Sequence, residues 1–133
     1  MKHFKSLTVF AALLFMISAC GGPEDGVDFG NLKDGDTVTS PVKIEFLVYG
    51  KTIKPAGEDV EGTGHHHIIV DGGSMQAGTV VPADDTHIHF GKGQTETSLE
   101  LSPGKHTLTL QFADYAHRSF GGKWSKTITV NVE

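Results

Sequence analysis

Cysteine occurs once in this sequence, tryptophan once and tyrosine twice. A lone cysteine excludes a disulfide within the chain. So few large polar aromatics leave only Tyr49, Tyr115 and Trp124 to build a stacking platform for a glycan or peptide. Catalytic signatures are missing as well: there is no H-E-x-x-H, no G-x-S-x-G and no reactive cysteine. The apolar run over residues 7–17 is too short to span a bilayer stably. Basic residues number 11 against 16 acidic ones and form no patch, which argues against nucleic acid as a partner. No stretch shows helical periodicity.

What is present at the start of the chain has the layout of an export signal. Lys2 and Lys5 precede the apolar run, which ends in small residues. Ile17-Ser18-Ala19-Cys20 looks like a bacterial lipobox, in which the cysteine becomes lipidated and forms the new N-terminus. The expected organisation is therefore a lipoprotein signal peptide over residues 1–19, a flexible tether over 20–26 and one domain over 27–133. Neither Gly21 nor Gly22 is the aspartate that retains lipoproteins at the inner membrane. In a cell with two membranes, the periplasmic face of the outer membrane is the expected address. Removing the signal takes away two lysines and no acid, so the net charge goes from −5 to about −7. The expected partners are the membrane, through a lipid on Cys20, and a metal ion or small envelope ligand.

The remaining 114 or so residues suit one domain. Val42, Ile44, Phe46 and Val48 alternate with Lys43, Glu45, Leu47 and Tyr49, which predicts a strand with one apolar face. Similar alternation recurs at Thr97, Leu99 and Leu101, at His106, Leu108, Leu110 and Phe112, and at Ile128, Val130 and Val132. Gly, Pro, Asp and Ser punctuate these runs. The pattern predicts an all-β fold, a single immunoglobulin-like antiparallel β-sandwich of about seven strands. Residues 50–64 form a long loop in this reading, a feature that is more often functional than idle in so small a domain.

Five of the eight histidines fall in two short strand-like segments, Thr63-Gly64-His65-His66-His67-Ile68-Ile69-Val70-Asp71 and Thr86-His87-Ile88-His89-Phe90-Gly91. Side chains alternate faces along a strand, so His65 and His67 share one face, and so do His87 and His89. If Ile68, Val70, Ile88 and Phe90 point into the core, both pairs point away from it. Two His-x-His pairs on neighbouring strands offer four imidazoles to one ion, and imidazole suits Zn²⁺ or Cu²⁺. His65, His67, His87 and His89 are thus the candidate ligands, with His66 and His117 behind them. His66 falls on the core side and is expected to be a hydrogen-bonded core histidine. His106 shares a face with apolar residues and is expected to be structural.

Thr63-Gly64-His65-His66-His67, His89-Phe90-Gly91-Lys92-Gly93-Gln94-Thr95-Glu96, Pro103-Gly104-Lys105-His106-Thr107-Leu108, and Asp114 followed by His117 together resemble a family of small exported bacterial domains of unknown function. The resemblance covers roughly residues 27–133. It implies an exported all-β domain and brings no established activity with it.

Three functions remain open on the sequence. The first is a lipid-anchored domain that binds zinc or copper through strand histidines. The second is a non-catalytic module that binds an envelope ligand, glycan or peptide, through Lys92, Gln94, Glu96, Tyr115 and Trp124. The third is a small metalloenzyme, which would need an open coordination position beside a base.

Overall fold

The computed structural model describes residues 21–133. The expected signal peptide and the lipidation site at Cys20 lie outside the described residues. Among those described there is no α-helix, only nine strands and one 3-10 turn at Gly122–Trp124. The strands are β1 (Gly26–Phe29), β2 (Asp36–Val38), β3 (Val42–Tyr49), β4 (Thr52–Ile53), β5 (Thr63–Val70), β6 (His87–His89), β7 (Glu96–Leu99), β8 (Gly104–Ala113) and β9 (Ser125–Val132).

Two sheets face each other. The smaller has the order β1-β3-β7 and the larger β2-β9-β8-β5-β4, with β6 pairing the far half of β5. Between them lie Val42, Ile44 and Phe46 from β3, Ile68 from β5, Leu108, Leu110 and Phe112 from β8, and Ile128, Val130 and Val132 from β9. The alternation on β3 is that of a half-buried strand: Val42, Ile44 and Phe46 are buried while Lys43, Glu45 and Leu47 are exposed.

The all-β sandwich matches the expectation, and its details go further. There are nine strands rather than about seven; β4, inside the expected loop, has only two residues, too short for any periodicity to show. Two pairings are parallel, β2 with β9 and β4 with β5. β4 lies within the expected loop of residues 50–64, so part of that loop belongs to the large sheet.

The two central strands of the large sheet do not have a wet face. On β5 every residue from Gly64 to Ile69 is buried, and on β8 every residue from Leu108 to Ala113. One face meets the small sheet. The other, carrying His65, His67 and Ile69 beside Thr109, Gln111 and Ala113, is covered by chain from residues 72–81 and 117–121. Gln111 stitches this cover down: its Oε1 accepts from Met75 N at 3.0 Å, and its Nε2 donates to Gly121 O at 3.3 Å and Trp124 O at 3.2 Å. Thr109 Oγ1 donates to Gly72 O at 2.8 Å. Residues 78–81 and 117–119 form a short ladder of their own, with Gly78 N donating to Ser119 O, Ser119 N to Thr79 O and Val81 N to His117 O, each at 2.8 Å. The two β5 histidines that alternation places away from the core, His65 and His67, are thus roofed over rather than exposed.

Candidate metal centre

β5 and β6 run antiparallel, with His67 opposite His89 and Ile69 opposite His87. This register decides which histidines can meet. His65 lies two positions before His67, and His87 two positions the other way along the ladder. The two are separated by four residue rises, about 13 Å, so no single ion can take all four of the paired strand histidines.

The fourth place is filled from elsewhere. After β8 the chain turns through residues 114–118 and returns at Ser119, which bridges to Ala113. His117 sits in that turn and reaches back over β5. One ring nitrogen from each of His65, His67, His89 and His117 lies within 4.8 Å of the others. His65 Nε2 is 3.0 Å from His117 Nδ1. Ring centroids of His67 and His89 are 5.1 Å apart, and those of His89 and His117 4.4 Å. Neighbouring nitrogens on a tetrahedral zinc at about 2.0–2.1 Å are about 3.3 Å apart. Modest rotations of these rings would therefore enclose an ion.

The site has a buried floor and an open rim. His65 and His67 are fully buried, His117 is half-buried and His89 is exposed. Neither Nδ1 of His65 nor Nδ1 of His67 has a hydrogen-bond partner in the protein. Burial, and then the neighbouring histidines, hold the imidazoles in their neutral, metal-competent form: His65 is lowered to about 4 and His67 to about 2. His89 is lowered too, first by desolvation and then by His117. Two glycines make the crowding possible. A Cβ on Gly91 would collide with the His89 ring, and one on Gly64 with the carbonyl of Ala113 and the Phe112 ring.

The other candidates that the sequence singles out lie apart from this cluster. His87 Nδ1 bonds Asp84 Oδ1 at 2.8 Å, and the same oxygen accepts from the backbone of Thr86 and His87. Asp84 is lowered to about 2, chiefly by the His87 bond. His87 is thus tied into the turn before β6. His66 points into the core, 5.2 Å from the Phe46 ring and 4.9 Å from that of Phe112. Contrary to the expectation of a hydrogen-bonded core histidine, both its ring nitrogens are buried without a partner. Burial first, and His65 second, lower it to about 3. Gln94 Oε1 accepts from Lys92 N at 2.9 Å and so closes its own turn. Glu96 lies on β7 directly opposite Glu45. Lys92, Gln94 and Glu96 are all exposed. Tyr115 stacks under Arg118, and Trp124 packs on Phe112, Phe120 and Lys51, so neither offers a free aromatic platform.

One more constellation has the order of a nucleophile, base and carboxylate. Ser102 Oγ is 3.3 Å from His106 Nε2, and His106 Nδ1 is 3.0 Å from Asp71 Oδ2. Yet His106 Nε2 lies closer, at 2.8 Å, to the carbonyl oxygen of Ser102. An imidazole that donates from both nitrogens is protonated and cannot take a proton from serine. Asp71 accordingly raises His106, with the Ser102 carbonyl adding to the effect. The trio is a clamp between the end of β5 and the start of β8.

The profile of a domain of unknown function, DUF4399, matches residues 44–133, more than half of the chain. The chain belongs to the DUF4399 family. No curated protein and no solved structure matches it. In this DUF4399 domain the matched region takes in β5, β6 and the 114–118 turn, and so all four clustered histidines. Spacing alone finds three of them. His117 stands 28 residues beyond His89 in a loop, and its only sequence signal is the nearby Asp114.

Proposed function

We propose that this DUF4399 domain is a lipid-anchored envelope protein that binds one divalent transition ion, zinc or copper, through His65, His67, His89 and His117. The observation that carries the reading is the convergence of four imidazoles, two of them fully buried, from three separate parts of the chain. The four ring nitrogens within 4.8 Å of one another can offer their lone pairs to a single ion, and an all-imidazole set favours Zn²⁺ or Cu²⁺ over hard or soft ions. Four protein ligands fill a tetrahedral zinc, which favours binding over catalysis. The exposed His89 marks the side from which an ion enters. The anchor rests on Ile17-Ser18-Ala19-Cys20.

Metal analysis of the protein purified without a histidine tag tests the site, with about one ion per chain expected. Acyl labelling tests the anchor, with labelling expected to vanish in Cys20→Ser. A metal-free protein whose melting temperature is indifferent to added Zn²⁺ and Cu²⁺ would overturn the metal reading.

A further inference from the structure

His117 is the ligand that no strand holds. It has a left-handed backbone, φ 63, uncommon for a residue with a side chain, and its surroundings hold it there. Those surroundings are mostly the work of one carboxylate. Asp114 Oδ1 accepts from the backbone N–H groups of Ala116 and Arg118, both at 2.9 Å. Its Oδ2 accepts from Arg118 Nε at 2.8 Å. Its own carbonyl accepts from His117 N at 2.9 Å, and its N–H donates to Arg118 O at 2.9 Å. Every residue of the turn except Tyr115 is thus tied to Asp114, and the His117 carbonyl is tied in turn to Val81.

We infer that Asp114 is the positioning residue of the metal centre: it fixes the 114–118 turn so that the His117 imidazole stands over His65 before any ion arrives. Pre-setting a ligand in this way removes an ordering cost from binding, and partners behind a ligand commonly matter 10–100-fold in affinity. The Arg118 contact steadies the carboxylate, whereas the two backbone N–H groups shape the turn. The acceptor oxygen therefore matters more than the charge. The inference rests on the metal reading above.

Copper(II) titration of the full chain, followed by electron paramagnetic resonance, separates the two claims. Absence of copper binding by the wild-type protein defeats the metal reading itself. Given binding, Asp114→Ala is expected to lose about 10–100-fold in affinity and to show one nitrogen ligand fewer. Asp114→Asn keeps an acceptor oxygen and is expected to retain the wild-type spectrum. In a His117→Ala background, Asp114→Ala should cost no further affinity. A merely structural role would lower affinity equally in both backgrounds. Should Asp114→Ala fail to fold, Asp114→Ser keeps one acceptor and gives the same readout with a smaller fall. Wild-type affinity and spectrum in the Ala variant, or in Ser where Ala is unfolded, would overturn the inference.

Discussion

His65 Nε2 and His117 Nδ1 lie 3.0 Å apart although 52 residues separate them in the chain. The contact joins the middle of the large sheet to a turn at its end, and it sets the edge of the histidine cluster. Its length suits a neutral N–H···N hydrogen bond and is also close to the spacing of two nitrogens on one ion. Loading a metal would exchange the first arrangement for the second with little movement of the backbone.

The first prediction separates the histidines by position. His67→Ala removes a buried member of the cluster and is expected to weaken Zn²⁺ or Cu²⁺ binding at least tenfold, about 1.4 kcal/mol. His87→Ala is expected to leave affinity unchanged, because that ring is held by Asp84. Isothermal titration of the two variants checks both. Equal losses would place His87 in the site.

His87 also shows what alternation in a sequence can and cannot reveal. Period 2 correctly groups His65 with His67 and His87 with His89, since each pair shares a face. It says nothing of register, and the pairing of His67 with His89 is what leaves His87 beside Ile69. The long strands β3, β8 and β9 were legible for the same reason: five or more residues of alternation leave little ambiguity. The roof over His65 and His67 was not legible, because irregular chain covers that face and no periodic pattern marks it. Nor was the placing of His117, which depends on a turn closed by Asp114 rather than on strand spacing.

His66 gives a prediction of opposite sign to most substitutions. Its ring nitrogens are buried among phenylalanines with no partner. An orphaned buried polar group costs about 1–3 kcal/mol. His66→Leu removes that cost at similar volume and is expected to raise the melting temperature while leaving metal affinity intact. A lower melting temperature, or lost binding, would mean that the ring contributes to the site.

Acid should act on the metal-free protein through the buried histidines of β5, His66 included, which burial lowers to about 3. His65 and His67 are lowered to about 4 and about 2, so both stay neutral in the folded state while the unfolded chain takes up protons below about 6.5. Their contribution to stability is full above pH 6.5 and declines as pH falls toward those folded values. Thermal melts should show that decline, and imidazole ¹⁵N spectra at about pH 5.5 should show His65 and His67 neutral. Protonated signals from either residue at that pH would contradict the burial.

His106 should behave the other way. Asp71 and the Ser102 carbonyl raise its pKa above the ordinary value. The clamp is fully made below about pH 6.5 and is lost as pH rises through the raised folded value. The stability difference between the wild-type protein and His106→Ala is expected to be larger at about pH 6 than at about pH 9. A difference that is constant or grows with pH would rule out the doubly donating imidazolium.

The central claim is that four histidines from β5, β6 and the 114–118 turn hold one ion. It is tested most directly by calorimetric titration of the tag-free, chelator-treated protein with Zn²⁺ and with Cu²⁺ at neutral pH. The predicted result is a single site with Kd below about 1 µM for at least one of the two ions. The same titration of a variant with both His65 and His67 replaced by alanine should show no such site. Binding weaker than the high-micromolar range for both ions, or undiminished binding in the double variant, would contradict the account.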